Sequence, residues 1–151
     1  MRYYCIKQHD ERDCAAACIA TICHDFGIDM PVAYYRKKAK TNINGTSMYG
    51  IVDALNSFGF EADAYQVTVE ELFTNRELKF PMIAMVVNEH QMYHFLVVNK
   101  LCGNKLYISD PDKGKKMISM QDFSHIFTGY IVMMNNHDKK PAVKTNSVVM
   151  D

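Results

Sequence analysis

Residues 13–20 read DCAAACIA, a run of small residues that carries its first thiol at Cys14. Alanine is the strongest helix former, Asp13 suits the position that caps a helix N-terminus, and Gly27 suits the stop at the other end. The pattern predicts a helix over residues 14–26. Backbone N–H groups and the helix dipole stabilise a thiolate in the first turn of a helix. Cys14 is therefore the first candidate nucleophile.

Three further side chains complete the set that thiol acyl-transfer chemistry needs, and they are Gln8, His94 and Asp110. A histidine exchanges a proton with the thiol and the leaving group, and an acid orients that histidine and favours its protonated form. A side-chain amide stabilises the developing oxyanion. Each residue also has an ordinary structural interpretation alone, such as a buried core histidine or a turn at Asp110-Pro111. The four together predict a cysteine enzyme.

Composition excludes several other classes of protein. The 151 residues are one ordinary domain, and seventeen basic residues balance seventeen acidic ones, so charge predicts no nucleic-acid partner. The N-terminus lacks the apolar core of a signal peptide, and five cysteines without such a signal indicate reduced thiols in the cytoplasm. The spacing of Cys14, Cys18 and Cys23 is not a usual zinc spacing, so neither a metal nor a cofactor is predicted.

The rest of the chain predicts helices first and antiparallel strands afterwards, which is an α+β fold. Helical patterns cover residues 30–39 and 47–58, and one or two helical turns cover residues 69–75. Strand patterns follow at residues 60–64, 81–87, 93–98, 106–109 and 129–134. We expect one domain over residues 1–136 and a polar, flexible tail over residues 137–151.

The hairpin that joins His94 to Asp110 raises a geometric difficulty. A symmetric two-residue turn at Gly103-Asn104 would place Asp110 opposite Val97 instead of His94. Either the loop is wider than two residues, or Asp110 lies beyond the paired part of the strands and its loop bends back. The sequence leaves both alternatives open.

Four blocks of this sequence occur together in a characteristic order. They are QHDERDCAAA at residues 8–17 with Phe26-Gly27, Gly45-Thr46-Ser47-Met48 through Gly59-Phe60, His94-Phe95-Leu96-Val97-Val98, and Asp110-Pro111. In this order they resemble the double-glycine leader peptidases, which are papain-like domains fused to ABC transporters that process and export bacteriocins, lanthipeptides and peptide pheromones. The resemblance spans residues 3 to 134, and the sequence departs from the family's usual pattern at Ala15 and Thr21.

The resemblance implies a papain-like fold, with an N-terminal helical part packed on a C-terminal antiparallel sheet, and cleavage after a Gly-Gly, Gly-Ala or Gly-Ser pair. It agrees with Cys14 as nucleophile, His94 as base and acid, Asp110 as the group that orients His94, and Gln8 with the Cys14 N–H as oxyanion hole. A narrow channel near the thiol would admit only residues that lack bulky side chains.

The same resemblance implies partners outside this domain. The substrate would be a precursor peptide whose amphipathic helical leader lies in an apolar groove. A transporter membrane domain and an ATPase would follow in the full-length protein, which would place the domain at the inner face of the cell membrane, with residues 137–151 as the tail or linker toward them. Candidate groove residues are Tyr34, Met48, Ile51, Tyr65 and Met85.

Two other functions remain open from the sequence. A non-catalytic leader-binding domain would recruit the peptide to a transporter without cutting it, but the presence of Cys14 favours the enzyme. Another thiol acyl-transferase on a papain-like fold, such as an amidase or a transglutaminase-like enzyme, is disfavoured by the short chain and by the Gly45-Thr46-Ser47 block.

Overall fold

The helices come first along the chain and most strands follow, as the sequence predicts. The computed structural model describes residues 3–8, 11–41 and 45–135, so the predicted tail over residues 137–151 lies outside the described residues. The elements are α1 (Cys14–Asp25), α2 (Val32–Lys38), α3 (Met48–Ser57), β1 (Glu61–Gln66), α4 (Val69–Thr74), β2 (Met82–Val87), β3 (Tyr93–Cys102), β4 (Lys105–Asp110), β5 (Gly114–Ser119), α5 (Met120–Ser124) and β6 (Phe127–Asn135).

The strands form one antiparallel sheet in the order β1-β6-β2-β3-β4-β5. Alternate residues of β3 enter different cores. Phe95 and Val97 pack with the N-terminal helices, whereas Leu96 and Val98 pack on the other face with residues such as Leu72 of α4 and Phe123 of α5. This arrangement confirms the predicted α+β class. Within the described residues, no helix has the length and apolar character to cross a membrane.

Helix α1 is the centre of the helical half, because all ten residues from Cys14 to Cys23 are buried. Small side chains let its neighbours approach closely, and α1 contacts α2, α3 and β3. The one hydroxyl in this run is satisfied: Thr21 Oγ1 donates to the Ala17 carbonyl at 2.9 Å and accepts the Ile6 N–H at 3.0 Å. Thr21 therefore joins the N-terminal segment to the helix.

Ser47 caps the N-terminus of helix α3, because its Oγ accepts the Gly50 N–H at 3.0 Å. Its first turn lies directly against the end of α2. A Cβ atom at Gly50 would lie 2.3 Å from the Ala39 carbonyl oxygen, so only glycine fits there. This close approach fixes the N-terminal end of α3, which lies beside the thiol of Cys14 in the site described below.

The predicted capping role of Asp13 is wrong. Residues Glu11–Asp13 form a 3-10 turn that leads straight into α1, and Asp13 has φ −93° and ψ 6° instead of the extended conformation of a capping residue. Its fully buried carboxylate accepts two hydrogen bonds from Arg36, from Nε and Nη2, each at 2.7 Å. A bidentate guanidinium satisfies a buried carboxylate better than one backbone N–H does.

Strand β5 and helix α5 are absent from the sequence-based expectations. β5 reads GKKMIS and lies at the sheet edge, where exposed lysines obscure the alternation of a half-buried strand. α5 has only five residues, which is too short for a helical period to be recognised. Both elements line one side of the site described below.

A bulge in β3 resolves the register difficulty. The turn at Gly103-Asn104 is the symmetric one, because Cys102 pairs with Lys105, but Asn99 is an extra residue between the pairs Lys100–Tyr107 and Val98–Ile108. Beyond the bulge Val97 pairs with Ser109, so Asp110 continues opposite Leu96 and points to the same face as His94. The Asn99 amide donates to Ser109 Oγ at 3.0 Å, which links the bulge to the residue before Asp110.

Candidate active site

Cys14 is the first residue of α1 and is 9% exposed, at the boundary between core and surface. The 3-10 turn before it and the Asp13–Arg36 pair fix the backbone on its N-terminal side. Helix α1 packs against β3, the strand that carries His94. The fold thus brings together two residues that lie eighty positions apart in sequence.

His94 and Asp110 form a buried hydrogen-bonded pair, with His94 Nε2 and Asp110 Oδ1 2.8 Å apart. The same carboxylate oxygen accepts the backbone N–H groups of Asp112 at 2.9 Å and Lys113 at 3.3 Å, which hold it in the tight turn between β4 and β5. Because Nε2 is engaged by Asp110, Nδ1 is the ring nitrogen left to interact with Cys14, which is one of the groups that raise the pKa of His94.

The electrostatics of the pair favour a protonated imidazole. Burial by itself lowers the pKa of His94, but the hydrogen bonds with Asp110 and Cys14 and the charges of both groups raise it to about 9. Burial raises the pKa of Asp110, yet the hydrogen bonds from His94 and from the Asp112 and Lys113 N–H groups hold it below its usual range. A histidine held between a carboxylate and a cysteine is the arrangement used for nucleophilic catalysis by a thiol.

Gln8 lies next to the acid of the pair, because its backbone N–H donates to the Pro111 carbonyl at 2.9 Å. The preceding residues hold the same segment: Cys5 Sγ donates to the Asp110 carbonyl at 3.5 Å, and Ser109 Oγ donates to the Tyr4 carbonyl. The segment therefore runs between α1, which it meets at Thr21, and the C-terminal end of β4. Its anchoring depends on the strand that carries Asp110.

A cavity of about 460 Å³ opens beside the thiol, and we name it the thiol-side cavity. It lies on the sheet face that carries the N-terminal helices, and Arg12 is the charged side chain in its wall. Of the predicted groove residues, Met48 and Met85 line it. Its other lining residues include Cys14, Met92, Tyr93 and Phe95.

The other three predicted groove residues lie elsewhere. Ile51 is fully buried in the helical core, and Tyr34 packs against Tyr35 and Phe58. Tyr65 is exposed on β1, where it lines a separate cavity with Glu77. Two lining residues, Met92 and Tyr93, are not among the predicted groove residues. They directly precede His94, and both are exposed although they are apolar.

The other four cysteines lie in surroundings that differ from those of Cys14. Burial raises the pKa of Cys18 well above the usual range and that of Cys23 to about 12, and it also raises the pKa of Cys5. Cys102 is exposed at the end of β3. Within the part of the chain that the structure describes, no three potential ligands among His, Cys, Asp and Glu are grouped to hold a metal ion.

The arrangement is that of nucleophilic acyl transfer: a thiol at a helix N-terminus, an imidazole in contact with it, and a carboxylate behind the imidazole. On an α+β fold of helices packed against an antiparallel sheet, these features define the class of papain-like cysteine enzymes. The Peptidase C39 profile matches residues 2–139. The chain belongs to the Peptidase C39 family, a family of cysteine peptidases, which confirms both the resemblance and the enzyme class predicted from the sequence.

Individual relatives agree with this assignment. The lactococcin-G-processing and transport ATP-binding protein of Lactococcus lactis subsp. lactis is 32% identical over 140 residues, which cover 92% of this chain and 20% of that protein. The peptidase domain of ComA from Streptococcus, a bi-functional ABC transporter involved in quorum sensing, has 32% identity and a TM-score of 0.82. That alignment covers 88% of this chain and 98% of the domain.

A third relative is a double glycine motif protease from an AMS/PCAT transporter, whose structure contains the leader peptide. It has 27% identity and a TM-score of 0.79 over 88% of this chain and 91% of that one. The chain thus matches isolated peptidase domains over nearly their whole length. It spans about a fifth of the length of the curated relative from Lactococcus.

Proposed function

We propose that this chain removes the leader from bacteriocin- or lanthipeptide-type precursor peptides by hydrolysing the peptide bond after a Gly-Gly-type pair. The observation that carries the proposal is the contact of Cys14 with the buried His94–Asp110 pair, beside an apolar cavity that opens next to the thiol. Membership of the Peptidase C39 family and the similarity to a double glycine motif protease support the choice of substrate.

The proposed reaction proceeds in two acyl-transfer steps. His94 takes the thiol proton, and the Cys14 sulfur attacks the carbonyl carbon of the second glycine to form a tetrahedral oxyanion. The C–N bond then breaks, His94 gives the proton to the leaving amine, and the leader remains attached to Cys14 as a thioester. Water then attacks the thioester carbonyl carbon while His94 takes one of its protons. The C–S bond breaks, His94 returns that proton to the Cys14 sulfur, and the leader leaves as a carboxylate whose proton passes to solvent.

Asp110 and Gln8 act around these steps. Asp110 holds the His94 ring through Nε2, so that Nδ1 faces the sulfur, and it stabilises the imidazolium that forms. The side-chain amide of Gln8 and the backbone N–H of Cys14 stabilise the oxyanion. The Cys14 N–H is proposed for this role because it belongs to the nucleophile itself, the first residue of α1.

The leader is proposed to bind in the thiol-side cavity as an amphipathic helix. Its apolar residues would contact Met48 and Met85, and flexible methionine side chains suit leaders of varied sequence. The relatives named above are transporters or parts of them. We therefore propose that a transporter membrane domain and an ATPase are the partners of this domain, which then works at the inner face of the cell membrane.

Valine in place of the final leader glycine is expected to block processing, because a β-branched side chain does not fit close to a thiol that is only 9% exposed. Cleavage of a precursor with Gly-Gly and of its Gly-Val variant is compared by mass spectrometry of the products. Alanine at the same position is the matched control and should remain a substrate. Equal turnover of the valine and glycine precursors would exclude a narrow channel.

Asp110→Asn is expected to move the basic limb of the pH–kcat/KM profile to lower pH. That limb reports loss of the His94 proton, and the Asp110 carboxylate is one of the groups that raise the His94 pKa to about 9. Without its charge the pKa falls toward the ordinary 6.5, so activity at pH 8 drops by about 10-fold while the loss at pH 6.5 is smaller. The exposed Asp63→Asn is the control, and an unchanged limb in Asp110→Asn would contradict the role of the carboxylate.

A further inference from the structure

Residues 3–8, the N-terminal segment, form neither a helix nor a strand, so contacts with neighbouring elements decide where they lie. On the side of α1, the Ile6 N–H donates to Thr21 Oγ1 at 3.0 Å, and that hydroxyl donates to the Ala17 carbonyl at 2.9 Å. Thr21 is only 1% exposed, so its hydroxyl is held by the helix and the core around it. It is therefore a fixed point to which the N-terminal segment is attached.

The N-terminal segment runs antiparallel to α1, toward the end of the helix that carries the thiol. The Tyr4 ring stacks on the His24 ring with centroids 3.6 Å apart, and two residues later Ile6 contacts Thr21. Moving along the segment from residue 4 to residue 6 is thus accompanied by moving along α1 from residue 24 to residue 21. The same direction leads to Cys14, the first residue of the helix.

The remaining length of α1 is one that Gln8 can cover. Thr21 lies seven residues after Cys14 in the helix, which is about 10 Å along the axis at a rise of about 1.5 Å per residue. Two residues of extended chain beyond Ile6 advance by up to about 7 Å, which brings the Gln8 backbone to the level of the first helical turn. The contact with Thr21 therefore sets how far the Gln8 side chain reaches toward the reacting carbonyl.

We propose that Thr21 is a positioning residue for the oxyanion hole: its hydroxyl holds the N-terminal segment at Ile6 and thereby places the Gln8 amide where the oxyanion forms. The inference rests on the proposed function, which includes the oxyanion role of Gln8. Thr21 touches no reacting atom, so its effect passes through Gln8. That effect is large when the donor moves, because a misplacement of about 1 Å in an active site can cost on the order of 100-fold in rate.

Contacts on the opposite side of the N-terminal segment serve a different purpose. The Gln8 N–H donates to the Pro111 carbonyl at 2.9 Å, and Ser109 Oγ donates to the Tyr4 carbonyl. These two hydrogen bonds hold the segment against β4 and the turn that follows it, beside the acid. The hydrogen bond to Thr21 instead holds the segment against the helix of the nucleophile. An oxyanion donor has to be placed relative to the attacking sulfur, so the contact with α1 is the one expected to affect kcat.

Thr21→Val keeps the shape of the side chain but removes the hydroxyl, and it is expected to lower kcat by about 10-fold with little change in KM. Thr21→Ser keeps the hydroxyl and should restore the wild-type kcat. The matched control is Thr74→Val, because Thr74 Oγ1 on α4 also donates to the carbonyl four residues earlier, at 2.8 Å, and is exposed. Iodoacetamide should modify Cys14 in Thr21→Val at the wild-type rate, and slower modification would show that Thr21 acts through the nucleophile, against the proposal.

A double-mutant cycle with Gln8→Ala separates positioning of the amide from a general effect on the structure. Thr21→Val should lower kcat no further once the amide is absent. The same loss in both backgrounds, or no loss in either, would overturn the proposal. Tyr4→Ala repeats the cycle from outside the core, since Tyr4 is 44% exposed, and it decides the question if Thr21→Val does not fold. It should lower kcat in the wild-type background alone, and urea midpoints establish that each variant is folded.

Failure of this proposal is distinguishable from failure of the proposed function. An impaired Gln8→Ala together with a fully active Thr21→Val would overturn the positioning role alone. A wild-type kcat in Gln8→Ala would remove the oxyanion role of that residue, and the role of Thr21 with it, while cleavage by Cys14 stands. Failure of the wild-type protein to cut any Gly-Gly precursor would overturn the proposed function itself.

Discussion

Replacing Cys14 by alanine is expected to abolish cleavage of a Gly-Gly precursor and to leave leader binding largely intact. The substitution removes the sulfur that forms the thioester, and neither His94 nor Asp110 supplies another nucleophile at that position. A loss of at least about 10⁴-fold in kcat is typical when a nucleophile of this kind is removed. Single-turnover product formation by mass spectrometry measures the loss, and fluorescence anisotropy of a labelled leader measures the Kd.

The matched control is Cys18→Ala, because Cys18 lies one turn further along α1 and is fully buried. That variant should remain active, so the loss is specific to the thiol at the helix N-terminus. Iodoacetamide at neutral pH should also modify Cys14 faster than Cys5, Cys18 or Cys23, whose pKa values burial raises. Full cleavage activity in Cys14→Ala would end the assignment of this residue as nucleophile.

Gln8→Ala is expected to reduce kcat by about 10²- to 10³-fold with little change in KM. The amide of Gln8 is proposed to donate to the oxyanion, which exists only in the transition state and the tetrahedral intermediate, so its loss acts on kcat alone. Gln8→Glu should be at least as impaired, because a carboxylate cannot donate and its charge repels the oxyanion. Steady-state kinetics with one precursor measure both variants.

The control for Gln8 is Gln66→Ala, an exposed glutamine on β1 that lies away from the site. It should keep the wild-type kcat. The backbone hydrogen bond from Gln8 to Pro111 does not depend on the side chain, and the urea midpoint of Gln8→Ala measures any loss of stability separately from the loss of kcat. A rise in KM with an unchanged kcat would assign Gln8 to ground-state binding and would contradict the oxyanion role.

The sequence predicts Cys14, His94 and Asp110 as parts of one site, and the fold brings these three residues together. Cys14 is conspicuous because a helical run of alanines follows it, and His94 is conspicuous because it opens an apolar strand. Both patterns involve residues that are neighbours in the chain, and such patterns can be recognised in a single sequence. The helix boundaries follow for the same reason: α1 ends at Asp25 where residue 26 was expected, and α3 begins one residue after its cap at Ser47.

Features that depend on tertiary partners were missed. Asp13 is a residue type that often caps a helix, but its carboxylate instead accepts two hydrogen bonds from Arg36 on α2. No pattern of neighbouring residues identifies Arg36 as this partner. For a similar reason the sequence alone does not separate groove residues from core residues, because apolar side chains at helical spacing occur in both. Ile51 is fully buried, whereas Met48, three residues earlier, lines the thiol-side cavity.

The extra residue at Asn99 has a consequence for how this site tolerates change. Successive side chains of a strand point to opposite faces of the sheet. Adding or removing one residue in a strand therefore moves every side chain beyond that point to the other face, relative to the paired strand. Losing one position between Val98 and Lys100 would keep every reactive group in the chain and yet turn the carboxylate of Asp110 away from its imidazole. Chain length within this hairpin is therefore as much a part of the catalytic apparatus as the identity of its residues.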